Sequence, residues 1–264
     1  MKILFIGDIV GKPGREAVNK TLPELKKKEK IDFVIANAEN LAHGKGFTTA
    51  TIDEMMSAGV DYFTSGNHIW DNKTNLSKLD DKSFPLLRPA NFPPDVYGRG
   101  YAVVETGMMK KILIINLMGR VFMKHYLDCP FRALDKILLD NAHENFDAIF
   151  VDFHAEATSE KVALAQYADG RVSALVGTHT HVPTADNRIL NEGTAYVSDA
   201  GMTGPIDTVI GVDKNSVIRN FLTQFPYPFT IPESGPKTFN SVIIEINTST
   251  KKAISIERAD YSLE

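Results

Sequence analysis

Seven residues of types that donate lone pairs follow short apolar runs in this chain. Asp8 and Glu39 offer carboxylates, Asn40 and Asn67 offer amide oxygens, and His154, His179 and His181 offer imidazole nitrogens. An oxygen and nitrogen set without thiolates suits Mn, Fe, Zn and similar divalent ions. Seven donors exceed what one tetrahedral ion takes, whereas two ions sharing a carboxylate would use all of them. Two carboxylates against two divalent cations leave about +2 on the bare site by simple addition of charges. Such a site attracts phosphate and can clamp both the attacking and the leaving oxygen of an in-line displacement.

These residues lie up to 173 positions apart, so the fold must bring them together. Apolar runs predict strands at Lys2–Gly7, Phe33–Ala36, Tyr62–Thr64, Tyr101–Glu105, Ile112–Asn116, Ala148–Asp152, Ala174–Val176 and Ala195–Val197. A hairpin is predicted from Ser241–Ile246 and Ala253–Glu257. Three- and four-residue apolar spacing predicts helices over Gly14–Glu29, Thr49–Ser57, Asn72–Leu79, Phe131–Asn145, Ser159–Tyr167 and Asp213–Leu222. Strand–helix alternation implies an α/β fold with right-handed crossovers and a largely parallel core, with the later strand pairs as antiparallel additions. In an open α/β sheet the strand C-termini gather along one edge, where ligands bind. Five of the predicted strand ends carry the donors.

Composition narrows the class. The chain has 264 residues, with 29 Lys+Arg against 33 Asp+Glu, a formal charge of −4. That balance argues against bulk binding to nucleic acid or an anionic membrane. The 43% apolar fraction fits a globular chain with a real core. Cys129 is the only cysteine, so intrachain disulfides and Cys-rich zinc sites are excluded. No apolar run approaches the roughly 18 residues of a membrane span, and Asp8 ends the N-terminal apolar stretch too early for a signal peptide. The expectation is a cytoplasmic protein of one domain over 1–264, with a loop-rich, Pro-containing excursion around 203–238.

Several residues have simpler readings. Asp8 in a strand-to-helix loop is also a natural helix cap. Asn40 and Asn67 are also turn residues that tolerate left-handed backbone. Gly7-x3-Gly11-Lys12-Pro13 is one residue short of a P-loop and has Pro where Ser or Thr should bind Mg. The His179/His181 pair is stronger, because on extended backbone residues two apart project to one side. Glu156 is a candidate for orienting a ligand histidine. Gly201–Pro205 reads as a turn that lets backbone approach a ligand. His43, His125 and His143 are left as surface or structural.

The chain resembles the calcineurin-like metallophosphoesterase superfamily and, within it, the bacterial YmdB-type phosphodiesterase family. The matching segments are Gly-Asp-Ile-Val-Gly (7–11), Asn-Ala-Glu-Asn (37–40), Gly-Lys-Gly (44–46), Gly-Asn-His-Ile-Trp-Asp (66–71), 152–161, 177–186 and 199–205. The superfamily's usual Asp-x-His after the first strand is missing, because Ile9-Val10 follow Asp8. The resemblance implies that Asn40 supplies the absent donor and Glu39 the bridging carboxylate. It further implies a four-layer α/β/β/α sandwich with two metal ions per chain, Fe or Mn by preference, with Zn or Mg as alternatives. One ion would take Asp8, Glu39, Asn40 and His181, and the other Glu39, Asn67, His154 and His179. His68 would be the general acid. The implied substrate is a small phosphodiester, chiefly a 2′,3′-cyclic nucleotide cleaved at the 2′ bond. The alternatives are a phosphomonoesterase, or a metal- or nucleotide-binding regulator with incidental hydrolysis. RNA as a partner has no aromatic/basic motif to support it, a membrane partner is not expected, and self-association is consistent with the family.

Overall fold

The computed structural model describes residues 1–107 and 109–264. Two sheets carry the fold. The first has five strands in the order Ala253–Arg258, Ser241–Ile246, Lys2–Ile6, Phe33–Asn37, Tyr62–Thr64. The second has six, in the order Tyr101–Glu105, Lys111–Met118, Ala148–His154, Ala174–Thr178, Ala195–Val197, Arg188–Ile189. The strands that lead to the donor residues are parallel to their neighbours from the same set, while the C-terminal hairpin and Tyr101–Glu105 add antiparallel edges.

Strand periodicity explains the layering. In the first strand Ile3 and Phe5 face the second sheet, where they join Ile112, Ile114, Phe150 and Val176 in one buried cluster. The Phe5 and Phe150 rings meet there with centroids 5.3 Å apart. Leu4 and Ile6 point the other way, onto Ala17, Val18 and Leu22 of helix Gly11–Glu29 and Ile52 and Met55 of helix Thr49–Ala58. On the far face of the second sheet, Ile115, Val151 and Tyr196 pack on Leu134, Ile137 and Leu164 of helices Pro130–Asp140 and Thr158–Ala168. The order of layers is therefore α/β/β/α. Strands buried on both faces read as unbroken apolar runs, which is why they are legible in the sequence.

The elements depart from expectation at their ends. The first helix begins at Gly11 with Val10 as its cap, so Asp8 caps nothing and its carboxylate is free for other work. The helix predicted over Asn72–Leu79 is a 3-10 segment, Lys73–Asp80, broken at Asn75 (φ −130°). The helix predicted to run from Phe131 to Asn145 stops at Asp140, because the Asn141 amide folds back to donate to the Ile137 carbonyl (2.8 Å). Gly201–Pro205 is not a ligand-facing turn. Met202–Pro205 is a strand whose Met202 and Thr203 pair in parallel with Asp8 and Ile9. The neighbouring Gly7 is obligatory, since a Cβ there would collide with the Gly201 carbonyl. Among the described residues no helix is long and apolar enough to cross a membrane.

Candidate metal centre

All seven donor residues converge where the C-terminal edges of the two sheets meet. Two sets of donor atoms each lie within 4.8 Å of one another: Glu39, His154 and His179, and Asp8, Glu39 and His181. Glu39 belongs to both. Asp8, Glu39, Asn40 and His154 are buried, while His179 and His181 reach the surface of the cleft. His154 Nε2 lies 3.1 Å from Glu39 Oε2, 3.1 Å from Asn67 Oδ1 and 3.0 Å from His179 Nδ1.

Each histidine has an outer partner that decides which ring nitrogen faces this cluster. Thr178 Oγ1 donates its one hydrogen to Asp152 Oδ1 (2.7 Å), so it must accept from His154 Nδ1–H (2.9 Å), leaving Nε2 toward Glu39. Strand register puts His154 directly opposite Thr178. His179 Nε2 lies 3.1 Å from Glu156 Oε2, on the side away from the cluster, while its Nδ1 faces His154. His181 donates from Nδ1–H to the Ile210 carbonyl (2.8 Å), leaving Nε2 on the side of Asp8. Such outer hydrogen bonds fix tautomer and orientation in metal sites.

The amides are oriented in the same sense. The Asn40 amide nitrogen donates to the Gly44 carbonyl (2.9 Å), and its buried Oδ1 has no hydrogen-bond partner. Asp8 Oδ1 is likewise buried without a donor. Acceptors crowded at this spacing repel one another unless positive charge lies among them. Burial pushes the Asp8 carboxyl up to about 7. Burial alone would also raise Glu39, but the adjoining His154 ring draws it down to about 2. Conversely, burial disfavours a charged His154, yet Glu39 foremost, then Asp8 and Asp152, drive it up to about 9. Burial and the His154 charge together hold His179 down to about 3. A proton on His154 thus partly fills the role of a cation. The orphaned oxygens of Asp8 and Asn40 and the inward lone pairs of the histidines fit divalent metal ions.

Two supports lie within the matching segments, on residues to which the sequence alone assigns no role. Asp152 is fully buried and accepts from Asn37 Nδ2 (3.0 Å), Thr64 Oγ1 and Thr178 Oγ1, so it ties the two sheets together directly beneath the donors. Asn37 Oδ1 in turn accepts from the Glu39 N–H (3.0 Å). Lys161, 1% exposed, pairs with Asp199 at 2.8 Å, and Asp199 also takes Thr180 N–H (2.9 Å) and Thr180 Oγ1–H (2.7 Å). That anchor corrects the expectation of extended backbone at the histidine pair. The strand ends at Thr178, and His179 (φ 100°) and His181 (φ 65°) curl through left-handed conformations around the tethered Thr180. Such positions cost about 1–3 kcal/mol each, so the surrounding contacts must hold them. The signal for both supports is a charged residue inside an otherwise apolar stripe.

The chain is similar to known proteins over nearly its whole length. The sequence profile of the YmdB-like protein family matches residues 4–259. A 2′,3′-cyclic-nucleotide 2′-phosphodiesterase of Bacillus subtilis (strain 168) is 50% identical over 258 residues, covering 98% of this chain and 96% of that one. The crystal structure of a hypothetical protein from Thermus thermophilus superposes with a TM-score of 0.92 at 41% identity, covering 100% of both chains. That of a novel phosphatase from Mycoplasma pneumoniae superposes at 0.93 with 38% identity, over 100% of this chain and 94% of the other.

Proposed function

The chain belongs to the YmdB-like family, and from that premise we propose that it is a metal-dependent phosphodiesterase acting on small phosphodiesters, chiefly 2′,3′-cyclic nucleotides. The observation that carries this reading is the sharing of Glu39 between two donor sets whose unpartnered oxygens and inward ring nitrogens face one another. Asp8, Glu39, Asn40 and His181 would hold one cation, and Glu39, Asn67, His154 and His179 the other. When bound, the pair supplies positive charge for the phosphoryl oxygens and acidifies water to near neutrality.

The remaining chemistry belongs to the chain's own groups. His68 is the general acid of the proposal. Its Nδ1–H is held by Asp71 Oδ2 at 2.8 Å, so Nε2 is the ring nitrogen left to deliver a proton to the departing oxygen. Its backbone N–H lies against Glu39 Oε2 at 3.3 Å, which sets the ring beside the donor cluster. Thr178 and the Ile210 carbonyl hold His154 and His181 in the orientation that exposes lone pairs, and Glu156 flanks the His179 ring at 3.1 Å.

Metal-loaded protein is expected to hydrolyse a nitrophenyl phosphodiester and 2′,3′-cAMP, with chelation abolishing both; activity surviving thorough metal removal contradicts the reading. His68→Ala should lower turnover while metal content stays near two per chain, and loss of metal would instead make His68 a ligand. A phosphomonoesterase is the second reading, favoured by the Mycoplasma structure's description as a phosphatase. Side-by-side rates on matched mono- and diesters separate the two.

A further inference from the structure

A cavity of about 830 Å³ opens beside the donor cluster. Asn40, His68 and His181 are among its lining residues. An apolar wall of the same cavity comes from the loop-rich excursion: Ile210 and Val212, then Phe229 and Ile231. A volume in the roughly 300–1,000 Å³ range of small-molecule sites is more than a phosphate group needs. Part of the cleft must therefore serve whatever the phosphate carries.

The excursion is seated there by shape. Ile231 fills a notch over Gly44 (φ +87°), where any Cβ would collide with its Cδ1, and it also touches the space above Gly11 (φ +59°). These are two of the glycines that the motif reading singled out without a role. The Thr230 carbonyl accepts from the Asp213 N–H at 2.8 Å, a second tether. Phe229, two residues before the seated Ile231, lines the same cleft, yet it remains 62% exposed. A large ring left uncovered, on a pinned segment that faces a donor cluster, has no packing role that accounts for it.

Resting on the phosphodiesterase reading, we propose that Phe229, backed by Ile231, Ile210 and Val212, forms a nucleobase subsite on which the base of a cyclic nucleotide stacks. The sugar spans the cleft between this wall and the metal centre. Stacking on an aromatic ring tolerates every base, since each has a π-face. Discrimination among bases at this wall follows stacking area, with purines preferred.

The test compares kcat/KM for 2′,3′-cAMP with that for glycerol 1,2-cyclic phosphate, which has the same five-membered cyclic diester and no base, using metal-loaded protein. Wild type should favour the nucleotide. Phe229→Ala should reduce that preference by about 10-fold, within the range of base–aromatic stacking, and through KM rather than kcat. Phe229→Trp should restore it. An unchanged preference in Phe229→Ala, equal loss in both variants, or a wild type indifferent to the base overturns the subsite alone. A wild type that hydrolyses neither compound overturns the phosphodiesterase reading.

Discussion

Replacing Thr178 with valine removes one hydroxyl and almost no volume, so it isolates the outer hydrogen bond of His154. In the native chain that hydroxyl accepts from His154 Nδ1–H at 2.9 Å and donates to Asp152 at 2.7 Å. Both groups are fully buried, so no water compensates. With a methyl in its place, the tautomer bearing hydrogen on Nδ1 loses its advantage. The alternative tautomer places the hydrogen on Nε2, against Glu39 Oε2 3.1 Å away, where a ligand lone pair is needed. Loss of such an outer partner typically weakens metal binding about 10–100-fold, or about 1.4–2.7 kcal/mol. Leaving a buried donor unpaired should cost a further ~1–3 kcal/mol in folding stability. At ~2.1 cal/mol/K per residue, a chain of 264 residues loses ~2–5 °C in Tm for that amount. Titration of the metal-free protein with Mn by calorimetry, alongside thermal denaturation, measures both quantities. Thr178→Ser keeps the hydroxyl and should bind metal as wild type does. A valine variant with wild-type metal affinity would refute the assignment of Nε2 as the ligand atom.

Three further outcomes are expected. Gly66→Ala should strip the protein of metal, because a Cβ there would collide with the His154 ring and the Glu39 carboxylate, and elemental analysis after dialysis reads the loss. Lys161→Met strands the buried Asp199 carboxylate and should destabilise by about 3–5 kcal/mol. The double change Lys161→Met with Asp199→Asn should recover part of that in denaturant titration. At Asp147, partial burial favours the neutral acid, but Lys111 N–H (2.9 Å) and Lys110 Nζ (3.1 Å) hold the carboxyl below the usual range. A depressed carboxylate stabilises above its unfolded pKa of about 3.9 and loses that contribution as pH falls through its folded value. Asp147→Asn should therefore lower Tm at pH 7, and the gap to wild type should close in scans taken progressively toward pH 3.

The donor types and the elements that carry them are legible in the chain order. The runs at 2–7, 33–36, 148–152 and 174–176 are apolar because those strands are buried on both faces, and burial leaves a compositional trace. The polar residues that follow them stand out against that background, so Asp8, Glu39, His154 and His179 can be named before any coordinates. Element ends are less legible, since the stop at Asp140 depends on one side chain folding back. The direction of a lone pair leaves no trace at all. Whether His154 presents Nε2 or Nδ1 rests on Thr178, twenty-four positions away, and on which way a single hydroxyl hydrogen points. The curl at His179 and His181 rests on Lys161 and Asp199. Those choices are made by hydrogen bonds between strands and between sheets. Local sequence specifies which atoms a residue carries, whereas only packing across the fold specifies which of them are left unpaired.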